Sequence, residues 1–287
     1  MRKAKINMLT AMGIFGSVGI FVNYIPLPSA AIAFCRGLMG MVFLLLVMAV
    51  TRKRFSPSAI KDRLLILSIS GVALGANWIL LFEAYRYTTV ATATVCYYLA
   101  PMLFVLFSPL LGEKLTPKKI LCVGLSLCGL ILVSNVLESG FSGLTGVFFG
   151  LGAAALYATI MFLNKKLTSV PAYDKTVFQL GTSAVVLIPY LLLTGDFSVP
   201  TLEGYQWALL VIVGIVHTGV AYWLYFGSIE KLHPQTISVF SYLDPVVAIL
   251  LSALLLREPM SIANICGSLL ILGSALYSEL PSVKERI

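Results

Sequence analysis

Apolar residues run through this chain in long, nearly unbroken stretches, and polar or charged positions are confined mostly to the short gaps between them. Ten such runs can be drawn, at about 7–25, 30–50, 64–86, 89–111, 118–137, 144–163, 175–194, 206–227, 234–256 and 262–279. A run of about 20 apolar residues matches one bilayer crossing. In hydrocarbon the backbone polar groups must be satisfied within the segment, so each run is predicted to be a transmembrane helix. Turn and breaker residues mark the gaps: Pro26 and Pro28, Pro57, Pro117, Gly140 and Gly143, Pro171, Pro200, Pro234 and Pro259. No gap is long enough to hold a separate soluble domain. The expected fold class is an all-α integral membrane protein with ten transmembrane helices, forming a single membrane domain over 1–287.

One polar-aromatic stretch occurs twice. Thr92-Ala93-Thr94-Val95-Cys96-Tyr97-Tyr98-Leu99-Ala100-Pro101 is matched 144 residues later by Thr236-Ile237-Ser238-Val239-Phe240-Ser241-Tyr242-Leu243-Asp244-Pro245. The same offset relates Ser108 to Ser252, Val72 to Val216, Gly75 to Gly219, Leu80 to Leu224 and Phe82 to Phe226. Repeat one then covers about 7–137 and repeat two about 144–279, with five runs in each. Five is odd, so the second half begins on the opposite side of the membrane from the first, and equivalent helices run antiparallel. Inverted repeats of this kind are the frame of secondary transporters, whose sites sit near the midplane where the repeats meet. Inverted duplication favours alternating access; a passive channel or a scaffold is also compatible with it.

Composition agrees with the run pattern. Hydrophobic residues make up 59% of the chain and charged residues 11%, against about a quarter charged in soluble domains. Lys and Arg number 20 and Asp and Glu 12, but the excess is sorted by topology and gives no reason to expect a nucleic-acid partner. One set of alternate gaps takes Arg2, Lys3 and Lys5; Arg52, Lys53, Arg54, Lys61 and Arg63; Lys114, Lys118 and Lys119; Lys165, Lys166 and Lys175; Lys231; and Lys284 and Arg286. The other set holds only Arg86 and Arg257. By the positive-inside rule both termini are cytoplasmic, in a multi-pass protein of the cell membrane. The basic N-terminus and Ser29-Ala30-Ala31-Ile32-Ala33 mimic a cleavable signal peptide. The first run is needed to complete the repeat, so it is read as uncleaved. Five cysteines (35, 96, 122, 128, 266) lie scattered in apolar runs without Cys-x-x-Cys or Cys/His spacing. Neither a disulfide framework nor a metal site is expected, and no cofactor is called for. No Walker loop is present to make ATP the direct energy source.

With Asn77-Trp78-Ile79-Leu80-Leu81-Phe82-Glu83-Ala84-Tyr85-Arg86-Tyr87-Thr88-Thr89, then Leu99-Ala100-Pro101 and Leu111-Gly112-Glu113-Lys114-Leu115-Thr116, the chain resembles the drug/metabolite transporter superfamily, specifically its EamA-type ten-helix members. Leu243-Asp244-Pro245, Leu256-Arg257-Glu258-Pro259 and Gly267 carry the likeness in the second half. The resemblance implies proton-linked or exchange-type transport, often export, of amino acids, other small metabolites or drugs. The chain departs from the family pattern at Phe15-Gly16, where Trp-Gly is frequent, and at Glu83 and Asp244, where uncharged residues are common. These departures bear on the substrate more than on the fold.

A charge at membrane depth costs about 2.5–3.5 kcal/mol on insertion scales, so each one needs a reason. Asp244, about ten residues into the ninth run and replacing Ala100 of the first repeat, reads as a proton carrier or as the counter-charge of an ammonium group. The plainer reading is a structural pair with hydroxyls or with Arg36. Pro245 cannot donate its helical hydrogen bond, which frees carbonyls to line a cavity. Arg36, whose repeat equivalent is Gln179, can snorkel outwards, form an ion pair or meet a substrate carboxylate. Glu83 reads as an i,i+3 partner of Arg86 or as an outer-gate acid. His217 reads as a proton relay or as a packed, hydrogen-bonded residue. His233, Glu113 and Glu258 are expected to be structural, solvated or helix-capping. Trp78 and Tyr222, Tyr98 and Tyr242, and Tyr97 are expected to line a cavity suited to a cation or small zwitterion. Tyr24, Tyr85, Tyr87, Tyr190 and Tyr205 fit an interfacial belt. Gly13, Gly16 and Gly19, Gly71 and Gly75, and Gly146, Gly150 and Gly152 are expected to let helices approach closely.

The expected function is secondary active transport of a small polar metabolite, of the amino acid or amine class, by alternating access with proton coupling or exchange. Multidrug or toxic-cation efflux by the same fold is the alternative, with a passive channel or an intramembrane enzyme from other classes. An enzyme would want a dense His/Asp/Glu cluster, which two distant histidines do not supply. The partners expected are a small-molecule substrate, protons and the lipid bilayer; monomer and homodimer both fit.

Overall fold

The computed structural model of the chain describes residues 2–53, 55–112, 115–134, 144–194, 202–229 and 231–279. Arg54, Glu113, Lys114, residues 135–137 of the fifth predicted run, Gly140, Gly143, Pro200, Lys284 and Arg286 lie outside the described residues. Among those described, every regular element is helical: α1 (Arg2–Asn23), α2 (Ser29–Val50), short α3 (Pro57–Lys61), α4 (Leu64–Tyr87), α5 (Val90–Tyr97), α6 (Ala100–Phe107) and α7 (Pro117–Val133). The second half holds α8 (Leu144–Lys165), α9 (Ala172–Thr194), α10 (Gly204–Gly214), α11 (Ala221–Ile229), α12 (Pro234–Ser241), α13 (Leu243–Leu251) and α14 (Ile262–Glu279). A π-helical turn, Ile215–Val220, joins α10 to α11, and a second, Ser252–Leu256, extends α13.

Among the described residues, eight helical stretches are long and apolar enough to cross a membrane. They correspond to the first four and the sixth to ninth predicted runs. The fifth and tenth runs form helices of 17 and 18 residues, α7 and α14, packed on each other. Ser126 Oγ and Ser274 Oγ lie 2.7 Å apart in that pair. A Cβ placed on Gly129 would lie 2.7 Å from the Gly267 carbonyl oxygen, and one on Gly267 would lie 2.6 Å from that of Gly129. Position 126 faces 274 and 129 faces 267, so the two helices are antiparallel and nearly in backbone contact, as small residues allow in lipid.

The helix starts follow local chemistry. Thr89 caps α5 by accepting the Thr92 N–H, and Thr116 caps α7 by accepting that of Lys119, with Pro117 at the first helical position. The fourth and ninth runs are interrupted at equivalent places. Tyr98 (ψ 5°) ends α5 and Tyr242 (ψ −4°) ends α12, in each case just before the proline of the repeated motif. Each proline lacks the N–H that would have continued the ladder and crowds the carbonyl four residues back, which accounts for a break there.

Packing across the two halves is mirrored. α1 lies against α11 and α13, while α8 lies against α4 and α6; α9 packs on α2 and α4, and α2 packs on α9, α10 and the Ile215–Val220 turn. The interrupted helices meet where α5 packs on α13. The largest apolar core surrounds α4, with Trp78, Leu81, Phe82, Leu180 and Leu210 among its buried members. Outward-facing positions such as Leu46, Val50, Leu193, Leu254 and Ile262 are large, apolar and exposed, the pattern of a surface meeting lipid rather than water.

Candidate functional site

A cavity of about 430 Å³ lies where α1, α2, α4, α5, α8, α11, α12 and α13 converge. α4 contributes Leu74, Trp78, Leu81 and Tyr85, a spacing that keeps all four on one helix face. Tyr222 and Tyr225 stand one turn apart on α11, and Tyr98 and Tyr242 enter from the two helix breaks. The breaks turn consecutive residues inward, which an uninterrupted helix would spread around its circumference. Tyr97 stacks on Tyr157 at 5.1 Å and meets Tyr98 edge-on at 5.9 Å. Phe15 meets Tyr222 edge-on at 5.4 Å.

Two charges reach this cavity. Arg36 is 5% exposed and its guanidinium carbon lies 4.3 Å from the Trp78 ring centroid, with Phe82 at 5.7 Å. Its Nε–H donates to Thr218 Oγ1 at 2.9 Å. Among the described residues no other hydrogen-bond partner of the guanidinium is present, and Arg36 is part of the cavity wall. Its terminal nitrogens are therefore available to whatever occupies the cavity. Asp244 stands two residues past the Tyr242 break and lines the same cavity as Tyr98. Arg36 and Asp244 are not within ion-pair distance of each other; among the described residues the ion pair within 4 Å is Arg86–Glu83, at 3.7 Å.

Seven of the nine residues singled out from the sequence line this cavity: Arg36, Trp78, Tyr97, Tyr98, Tyr222, Tyr242 and Asp244. Two do not. Glu83 pairs with Arg86 one turn on, and Arg86 also donates to the Leu27 carbonyl at 2.5 Å. His217 is 2% exposed, with Nε2 2.9 Å from Ser17 Oγ, Nδ1 3.3 Å from the Ile212 carbonyl and its ring 4.6 Å from that of Phe21.

Three expectations change. Arg36 does not snorkel: it is buried against the Trp78 ring, and its Nε–H bonds Thr218 Oγ1. Nor is it paired with Asp244. Tyr85, assigned to the interfacial belt, is 8% exposed and lines the cavity, whereas Tyr24, Tyr87, Tyr190 and Tyr205 are exposed. The signal for Tyr85 lay in its distance of seven residues from Trp78, two turns along one face. Tyr225, three residues after Tyr222, carries the same signal. Tyr157 has no such neighbour on α8 and nothing in the pattern marks it.

The sequence profile of the EamA-like transporter family matches the chain twice, over residues 2–135 and 144–278. The chain belongs to this family. Among its relatives, the uncharacterized transporter YxxF of Bacillus subtilis (strain 168) is 32% identical over 256 residues, covering 86% of this chain and 80% of that protein. An uncharacterized transporter of Archaeoglobus fulgidus is 25% identical over 281 residues and covers 97% of both. The aromatic amino acid exporter YddG of Ancylobacter novellus is 26% identical over 204 residues, covering 69% of this chain and 70% of its own. One solved crystal structure superposes with a TM-score of 0.66 at 20% identity and covers 97% of each chain, a likeness of fold. This EamA-family protein is therefore a multi-pass membrane transporter, and its family is one of transporters rather than enzymes.

Proposed function

We propose that this EamA-family protein is a secondary active transporter of a small zwitterion of the amino acid class, working by alternating access between two inverted five-helix halves. The carrying observation is one cavity that holds an arginine and an aspartate, not paired with each other, among tyrosines and a tryptophan. A zwitterion would place its carboxylate on Arg36, where a planar fork suits two oxygens, and its ammonium on Asp244, within reach of ring faces. Either charge left unmatched at this depth would be costly. A substrate that satisfies both gains what an apolar molecule cannot.

The ten-helix count rests on adding α7 and α14 to the eight long helices. The inverted relation is supported by the two family matches, the mirrored packing and the equivalent breaks at Tyr98 and Tyr242. Asp244 is the group in this reading that links substrate or proton binding to the rocking of the halves. The amino acid class draws support from the exporter of aromatic amino acids among the relatives. Efflux of organic cations is the second reading, favoured by an acid set in an aromatic wall. Export is the direction the family resemblance suggests, with protons or a second solute in exchange.

Flux measured in proteoliposomes, with and without a proton gradient, tests the proposal. Saturable movement of an α-amino acid that responds to the gradient and is not competed by its decarboxylated amine supports the zwitterion. Preference for the amine or a quaternary ammonium shifts the assignment to cations. Flux that does not saturate makes the protein a channel.

A further inference from the structure

Glu258, a residue outside the cavity, joins the two halves of the protein. Both of its carboxylate oxygens accept the Val90 backbone N–H, Oε1 at 3.0 Å and Oε2 at 2.9 Å. Val90 is the first residue of α5, in the first half; Glu258 follows α13 and its π turn, in the second. A carboxylate on the unpaired N–H at a helix start is a favourable cap, reinforced by the helix dipole. This cap comes from the opposite repeat rather than from the residue before the helix, where Thr89 serves Thr92 instead.

The second half is shaped to present this carboxylate. The Ser252–Leu256 π turn ends at Arg257, whose φ of 54° is left-handed and uncommon for a residue with a side chain. That turn sends the chain back so that the Glu258 N–H reaches the Ser252 carbonyl at 3.3 Å, and the Ser252 hydroxyl donates to Glu258 Oε2. The carboxylate is thus held by its own half as well as by the N–H of the other.

The capped end is also the closed end. Every α5 residue from Val90 to Cys96 is buried, and Val90 with Tyr85 presses on Gly19 of α1 so tightly that a Cβ there would collide with Val90. The equivalent α12 has no buried residue among its described side chains. Two sequence-related segments therefore sit in opposite situations. The repeat offset of 144 places Pro234 where α5 has Val90, and a proline has no N–H to cap. The bond made at one end cannot be copied at the same residue of the other.

We propose that Glu258 is a latch: its cap on Val90 holds the α5 end of the cavity shut, and opening that end requires its release. The latch biases the resting transporter towards the conformation that is open beside α12. Glu258 is a positioning residue, acting through α5 rather than on the substrate. The role rests on the alternating-access reading for its consequence in transport, but its test does not involve a substrate.

Hydrogen exchange followed by mass spectrometry on the full-length protein, without substrate, compares Glu258→Ala and Glu258→Gln with the parent. Loss of the latch is expected to speed exchange in residues 90–96 by about tenfold and to slow it in 235–241, as the molecule shifts towards the opposite conformation. Glu258→Gln, which keeps one carbonyl acceptor, falls between. Unchanged exchange in 90–96 overturns the proposal, and so does faster exchange in both segments, the sign of general loosening. Should Glu258→Ala fail to fold, Ser252→Ala leaves the carboxylate but removes its support. A smaller shift in the same opposed directions upholds the latch, and none overturns it. A protein that shows these shifts but moves no amino acid refutes the proposed substrate and leaves the latch standing.

Discussion

Arg36 donates its Nε–H to Thr218 Oγ1 at 2.9 Å, while the same hydroxyl donates to the Val213 carbonyl, five residues back, at 3.2 Å. Both belong to the local geometry of the Ile215–Val220 π turn, which sets His217 towards Ser17 of α1 and Thr218 towards Arg36 of α2. π turns recur at functional sites because they re-aim side chains without breaking a helix. Here the turn holds the guanidinium fork in place beneath Trp78.

Thr218→Val removes the acceptor and nearly conserves volume, so the guanidinium keeps its charge and loses its orientation. A hydrogen bond to a charged group is worth about 1.5–3 kcal/mol. The KM for a zwitterionic substrate is expected to rise about 10- to 100-fold, with a smaller change for an amine that lacks the carboxylate. Thr218→Ser restores the parent value. Initial-rate transport with both substrates reads the difference.

Asp244→Asn keeps the shape of the side chain and removes its charge. Accumulation against a gradient is expected to disappear, and affinity for an ammonium-bearing substrate to fall about tenfold or more. Gradient-driven transport that continues unaltered in this variant would show that coupling lies elsewhere.

Gly16 and Gly13 share a helix but not an environment. A Cβ on Gly16 would strike the Asp244 carbonyl oxygen and the Val247 side chain, whereas one on Gly13 would meet nothing within 4 Å. Gly16→Val is expected to cost about 1–3 kcal/mol, as overpacking does, and to displace α13 with its aspartate. Gly13→Ala should be neutral or slightly stabilising, as a better helix former. Thermal unfolding in detergent, followed by transport of the folded fraction, separates the two.

His217 has partners on both ring nitrogens and lies outside the cavity wall. His217→Ala leaves Ser17 and a buried space behind, at a cost of about 1–3 kcal/mol. A lower unfolding temperature with an unchanged KM is expected. A changed coupling ratio at unchanged stability would restore the relay reading.

Glu83 and Arg86 form a partly exposed pair one helical turn apart. Such pairs contribute about 0–1 kcal/mol, so Glu83→Gln should leave both stability and transport close to the parent. A several-fold loss of transport at normal stability would instead assign Glu83 to a gate.

The sequence by itself determined the membrane class, the positions of the helices, the internal repeat and most of the aromatic wall. Hydrocarbon leaves the backbone few options, and a repeated motif carries its partners with it at a fixed offset. Periodicity could have added Tyr85 and Tyr225, which lie at helical spacing from Trp78 and Tyr222. Tertiary structure alone decided that Arg36 bonds Thr218 and not Asp244, because which of several polar groups meets a buried charge depends on a π turn that no spacing announces. It also decided that Glu258, legible as a helix cap, caps a helix of the other half. Val90 and Glu258 lie 168 positions apart, and the bond between them exists only once the halves have packed.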